Sequence, residues 1–342
     1  MRRFLLALVV LLAASACGHS ASPAGSQRIV YLVVDTAGSS PLTTTAVTDV
    51  ASPYRGRTVT HQGSSIHGPL GGGFVWDERG VYTIKPDGST TQNEYIAPGF
   101  PGPFSRLDLA LPVALRQHLV ASLGPGMVGK RSCTRWVSQL PLDGAPLSPA
   151  TGGDRTESCV DPAGQLLSET WQVGGKVVRT RTAQSLGPGP SLVGKALFLG
   201  RQPTSLPTQR SAFVVHRSSA KELTTLMQVP APKGPPGLTA DQAVAVLDVD
   251  SSRQGFAREA AVLTWVGPSQ LAVLRIERDL EQVGAVAPRG APVDVGTLGS
   301  GRLEPVLAGL RVTVDGPRGL RLIATADLPE SILLAWLRSL SL

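Results

Sequence analysis

The sequence predicts an α+β protein: a large antiparallel sheet covered by a helix and loops, followed by a small α/β domain that ends in a helix. Three observations carry this. Glycine (38 residues) and proline (28) are plentiful while aromatic residues make up 5% of the chain, which favours short strands with many turns over long helical bundles. From Arg28 onward, β-branched and alternating segments follow one another with a single clear amphipathic helix among them. Finally, Val229–Pro236 (VPAPKGPP) is the strongest linker signal in the chain, and the residues beyond it have their own strands and a closing helix.

At the N-terminus, Arg2 and Arg3 precede an apolar run from Phe4 to Ala14, then Ser15, Ala16 and Cys17. This is the charged, apolar, small-residue order of a secretory signal, and its core is too short to span a bilayer. Residues 1–16 are therefore expected to be a signal peptide. Residues 17–27 are small and polar, cannot bury a core and read as a flexible tether. Ala14, Ser15 and Ala16 directly before Cys17 resemble the lipobox of bacterial lipoproteins. The resemblance implies a diacylglycerol on the Cys17 sulfur, cleavage before it, and attachment to the extracytoplasmic face of the cell membrane through acyl chains. An ordinary cleavable leader with an incidental cysteine is the alternative.

Residues 28–228 form the expected first domain. Ile29–Asp35, Thr43–Val50, Arg57–His61, Gly72–Asp77 and Val81–Lys85 read as strands, with Asp77-Glu78-Arg79-Gly80 as a hairpin and Pro86-Asp87-Gly88 as a turn. Ile96–Ser105 holds three prolines and two phenylalanines and cannot be a regular element. A helix is expected over about Pro112–Ser122, with Pro in its first turn and Gly124 beyond its end. Val128–Leu140, Leu166–Val173, Lys176–Ala183 and Leu192–Gly200 follow as strands, with Gly174-Gly175 as a two-residue hairpin turn. Ala212–His216 reads as a further strand and Ala220–Met227 as a short helix.

After the linker at 229–236, residues 237–342 form the expected small domain. Its strands are Ala243–Val249, Ala260–Val266, Gln270–Arg278, Val306–Val314 and Gly319–Ala324. The last helix opens on a D-x-x-E capping box at Asp327 and Glu330, with Pro329 in its first turn. Ile332, Leu333, Trp336, Leu337 and Leu340 make its buried face.

Removing residues 1–16 from 342 leaves 326, which suits two domains. The formal charge of +7 falls to +5 without Arg2 and Arg3, and only six lysines contribute, the arginine excess expected of a GC-rich genome. The cations are scattered rather than clustered with aromatics, so nucleic acid is not an expected partner. With Cys17 lipidated, Cys133 and Cys159 remain in an oxidising compartment, where a disulfide across neighbouring antiparallel strands is the expectation. Closing that loop of about 26 residues contributes about 3 kcal/mol.

Catalytic fingerprints are missing. Gly299-Ser300-Gly301 and Gly63-Ser64-Ser65 do not meet the spacing of a nucleophile elbow, and the segment His67–Gly73 has no nucleophile to serve. His19, His61, His67, His118 and His216 show no i, i+4 pairing, and neither a Walker loop nor a G-x-G-x-x-G helix opening is present. The expectation is a non-catalytic protein without cofactor or metal, an unrecognised hydrolase being the alternative.

The segment Gly129–Ala183 has a distinct order: a Gly-Lys-Arg-Ser-Cys strand, Cys-Val-Asp-Pro-Ala-Gly-Gln-Leu, Ser-Glu-Thr-Trp, a Gly-Gly turn and an Arg-rich strand. It resembles the lipoprotein-carrier-like domains of exported bacterial proteins, which include lipid-binding lipoproteins and envelope sigma-factor regulators. Gly319–Leu340 likewise resembles the end of the second domain of those regulators. The resemblance implies a curved antiparallel half-barrel sheet whose concave face, closed by helices, holds acyl chains. One helix and loop 96–105 are little cover for so many strands, and an uncovered apolar face is how hydrophobic ligands are held. The expected partners are thus the membrane through the lipid on Cys17 and an apolar ligand such as lipid. A membrane regulatory protein bound by an envelope sensor or scaffold is the alternative.

Overall fold

The computed structural model describes residues 26–52, 55–77, 80–92, 106–139, 141–142, 154–201, 203, 213–248, 259–267, 270–278, 289–306, 309–316 and 319–341. The leader, Cys17, the tether up to residue 25 and the loop 96–105 lie outside them.

The first layer is an open, curved, eleven-stranded antiparallel sheet. Six strands form a meander: β1 (Gln27–Asp35), β2 (Leu42–Ser52), β3 (Arg55–Gln62), β4 (Leu70–Asp77), β5 (Gly80–Ile84) and β6 (Thr90–Gln92). A helix, α1 (Leu107–Arg116), leads to a second meander of β7 (Ala121–Val128), β8 (Arg131–Ser138), β9 (Arg155–Val160), β10 (Leu166–Val173) and β11 (Lys176–Pro188). The order β6-β5-β4-β3-β2-β1-β11-β10-β9-β8-β7 shows that the meanders join where β1 pairs with β11.

The second layer is an eight-stranded antiparallel sheet. Its members are β12 (Phe213–Ser218), β13 (Thr239–Asp248), β14 (Glu259–Val266), β15 (Leu271–Arg278), β16 (Ala291–Asp294), β17 (Ser300–Val306), β18 (Gly309–Asp315) and β19 (Arg321–Ala326). They lie in the order β12-β13-β14-β15-β19-β18-β17-β16. Helices α2 (Ala220–Met227) and α3 (Glu330–Arg338) supply Leu223, Met227, Leu333, Trp336 and Leu337 to one core with Leu263, Leu274, Ile276, Val312 and Leu322. Trp336 meets Trp265 edge-on at 5.4 Å between centroids and donates its indole N–H to the Lys233 carbonyl at 2.7 Å.

The structure differs from the expectation at several places. The second sheet starts before the linker at 229–236: β12 pairs with β13, and α2 buries Leu223 and Met227 in the second core. That layer is antiparallel throughout, where a small α/β unit was expected. Helix α1 begins five residues earlier than Pro112, which sits inside it, and His118, in the left-handed region at φ 58°, follows its end. Val128–Leu140 is not one strand, because Gly129 at φ 58° turns the chain between β7 and β8. Leu192–Gly200 is not a strand either: Gly194–Phe198 is a 3₁₀ helix. There Leu192, Leu197 and Phe198 turn into a cluster with Val59, Val75, Tyr82 and Ile84, burial that an extended chain alternating sides would split.

The capping box at Asp327 and Glu330 does not form. The N-cap residue of α3 is Pro329, with no side-chain cap. Asp327 instead accepts the Leu271 N–H through Oδ1 at 2.5 Å, fixing the start of β15 to the end of β19.

Candidate ligand face of the first sheet

Strand alternation gives the first sheet two faces of different character. One is covered by the chain that leaves β11. This strap, residues 189–201, crosses β2 to β5 and buries Leu192, Leu197 and Phe198. It is pinned by charge. Asp49 is 1% exposed, accepts from Arg28 Nε at 2.6 Å and from Arg57 Nε at 3.0 Å, and Arg57 passes Nη1 on to the Ala196 carbonyl at 2.7 Å. The carboxylate hydrogen bond holds the Arg28 guanidinium above its ordinary pKa. At the far end Arg201 donates to the Asp87 carbonyl at 2.8 Å.

The same face carries the disulfide. Cys133 on β8 and Cys159 on β9 are bonded, with Cα atoms 5.6 Å apart, and pack with Leu167. Since Arg135 is the residue opposite Cys159, the bridge runs diagonally across the pair.

The other face is the candidate site. On β1, Ile29, Tyr31 and Val33 alternate onto it and cluster with Ala46 of β2, flanked by Ala183 and Leu186 of β11. Tyr31 stands opposite Ala46 on one side and Ala183 on the other. Ile29, Tyr31, Val33 and Ala46 are all buried. The Tyr31 ring is locked at its tip, where Oη donates to the Leu166 carbonyl at 2.8 Å, and capped by Arg181, whose guanidinium carbon lies 4.1 Å from the ring centroid. Opposite Arg181 on β10 is Glu169, 4% exposed, which accepts the Leu142 N–H at 3.1 Å and faces the Ser158 hydroxyl at 3.5 Å.

Two tryptophans extend the face in both directions. Trp171 follows Glu169 on β10, two residues along. Trp76 on β4 is fully buried beside Phe74, over Gly56 of β3, where a Cβ would come within 2.2 Å of its ring. Each has a buried indole Nε1 without a hydrogen-bond partner among the described residues. Buried N–H donors are normally paired, so these two stand out among the described residues. On the first sheet, helix α1 packs at the β8–β10 end, where Leu107, Leu111 and Ala114 meet Val160, Leu166 and Trp136.

Of the residues singled out in the sequence, Cys133 and Cys159 come together on the strap face and Cys17 lies outside the described residues. His61 and His67 belong to β3 and the turn after it, with His61 Nδ1 3.0 Å from the Gly68 carbonyl oxygen. Among the described residues no three His, Cys, Asp or Glu side chains gather as a metal site, and no helix is long and apolar enough to cross a membrane. Sequence reasoning missed Tyr31, Glu169, Arg181, Trp76 and Trp171. The alternation over Ile29–Asp35 was a usable signal for Tyr31, while the partners of Trp171 were hidden by a bulge.

No family model matches the chain, and no curated protein does. Among solved structures it is similar to the Pseudomonas aeruginosa MucA/MucB complex, at 14% identity over 93% of this chain and 94% of that one, with a TM-score of 0.33. It is also similar to LprF from Mycobacterium bovis, at 12% identity over 50% of this chain and 90% of that one (TM-score 0.28). A third is a putative outer membrane lipoprotein-sorting protein domain from Vibrio parahaemolyticus, at 9% identity over 51% of this chain and 89% of that one (TM-score 0.22). At TM-scores of 0.33 and below, such likeness is too slight to assign fold or function.

Proposed function

We propose that this chain is a non-catalytic, extracytoplasmic binding protein, anchored to the membrane through a lipid on Cys17, whose first sheet holds an apolar ligand such as a lipid. The observation that carries the reading is the strip Ile29, Tyr31, Val33 and Ala46 along the central strands, set between Trp76 and Trp171, whose indole donors have no partner among the described residues. Apolar area supplies the affinity of such a face, and a few placed donors orient the ligand. Arg181 and Glu169 already engage Tyr31 and the β9–β10 region, so they serve as a fixed polar edge.

Purified protein should carry organic-extractable lipid and, once stripped, take up a fluorescent fatty acid with a change in tryptophan emission. Ala46→Arg, which sets a charge and a long side chain beside Tyr31, should abolish uptake while the far-ultraviolet spectrum is retained. Absence of both extractable lipid and uptake in the wild type would refute the binding reading. Anchoring is tested separately: Cys17→Ser should move the protein from the membrane fraction to the soluble one and remove metabolic acyl label.

A further inference from the structure

Helix α1 belongs to both layers. Leu107, Leu111 and Ala114 face the first sheet, while Val113, roughly 100° round the helix from that stripe, enters the core of the second. At the helix end, Gln117 Nε2 donates to the Leu303 carbonyl at 2.9 Å, and Arg116 pairs with Glu330 at the start of α3. At the opposite end Arg106 lies across the boundary. Its Nε and Nη2 donate to Asp108 at 2.9 and 2.8 Å, and its Nη1 reaches Asp327 Oδ2 at 3.5 Å.

We propose that the junction between α1 and the second sheet is a pH-responsive clasp with Asp327 as its proton-binding element, tightening as the surroundings turn acidic and loosening above neutrality. It does not rest on what the first sheet binds.

Burial sets the direction, against the two groups that hold the carboxylate. Asp327 is 2% exposed, with Oδ1 under the Leu271 N–H and Oδ2 under Arg106. Lifting α1 off the second sheet removes Arg106 and admits water to Oδ2. A closed junction therefore encloses a carboxyl that an open one hydrates. Burial pushes the Asp327 carboxyl up to about 7, against the Leu271 N–H and Arg106, which both pull it down. The closed form thus binds the proton more tightly than a hydrated form with an ordinary carboxyl, and proton uptake favours closure. If opening hydrates the group fully, the closed-to-open ratio rises about thirtyfold between pH 8 and pH 5.5; partial hydration gives less.

The other charged groups at the junction are accounted for. Asp108 is held by Arg106 and abuts Gly164 of the β9–β10 turn, which Asp161 caps through the Ala163 and Gln165 N–H groups. Arg116 pairs with Glu330, and Glu304 with Arg311. His118, exposed just past α1, is an imidazole beside the junction, so the test must separate it from Asp327.

Amide exchange of the full chain, read by mass spectrometry on peptides covering residues 106–117 and corrected for intrinsic rates, measures opening. The wild type should open about tenfold less at pH 5.5 than at pH 8. Asp327→Asn should give the low-opening behaviour at both pH values, and His118→Gln should keep the wild-type response. Arg106→Gln, which removes the compensating cation, should increase opening at pH 8 and keep the acid response; it also serves if Asp327→Asn does not fold. Equal corrected rates at both pH values in the wild type, an unchanged response in Asp327→Asn, or loss of the response in His118→Gln would each overturn the proposal.

Discussion

Arg57 and Asp49, on neighbouring strands, form a buried ion pair at 3.0 Å whose guanidinium also holds the Ala196 carbonyl, tying the strap of residues 189–201 to the sheet beneath it. The sheet face under the strap is thus sealed by a polar lock rather than by area alone.

Breaking that lock from one side should be costly. Asp49→Ala leaves Arg57 nearly buried without its carboxylate and should destabilise the protein by about 3–5 kcal/mol, read by denaturant unfolding. Arg28→Ala, which removes the more exposed partner of the same carboxylate, should cost less.

The disulfide predicts a smaller loss. Cys133→Ala opens a bridge that spans 26 residues and should lower stability by about 3 kcal/mol. Thiol titration of unfolded protein with residues 1–17 removed should find no free thiol in the wild type and one, Cys159, in the variant.

Gly56 cannot accept a side chain in place. A Cβ there would lie 2.2 Å from the Trp76 ring and 2.7 Å from the Asp49 carbonyl oxygen, so Gly56→Ala must move the indole or the strand. The expected loss is about 1–3 kcal/mol, with a shifted tryptophan emission spectrum as the specific sign.

Global stability should carry the titration of Asp327. Its folded pKa is raised above the ordinary 3.8, to about 7, so the ionised carboxylate opposes folding above pH 7. That penalty shrinks as pH falls from 7 toward 3.8 and is absent below it. Asp327→Asn should therefore be more stable than the wild type at pH 8 and lose its advantage near pH 4, measured by denaturant midpoints across that range.

Much of the fold was legible where local signals settle the structure. The bounds of β10 and the start of β11 follow from the alternation around Gly174-Gly175, both of which take positive φ. Helix α2 matches its expected span of Ala220–Met227. The bulge between Trp171 and Gln172 was not legible: the turn alone would set Trp171 opposite Val178, but it stands opposite Arg179. Pro112 misled because proline normally marks a first turn, whereas the preceding turn of α1 is held by Leu107, Ala110 and Leu111 packing below it. Asp327 misled for a related reason. Its local pattern suits a helix cap, but a tertiary partner, the Leu271 N–H, claims the carboxylate. Pairing between distant strands leaves no local trace, so neither the neighbours of Tyr31 across the β1–β11 seam nor the role of α1 could be read in advance.

The β1–β11 pairing joins residues 144 to 161 positions apart, from Asp35 with Arg179 to Gln27 with Pro188. Each meander can assemble hairpin by hairpin, but this seam must wait until almost the whole first layer exists, and its loop-closure entropy makes it late. Until it zips, β1 and β11 are two long unsatisfied edges on one chain. A second copy in the same unfinished state offers the complementary edge, so the misassembly this topology predicts is an exchanged dimer sewn along that seam.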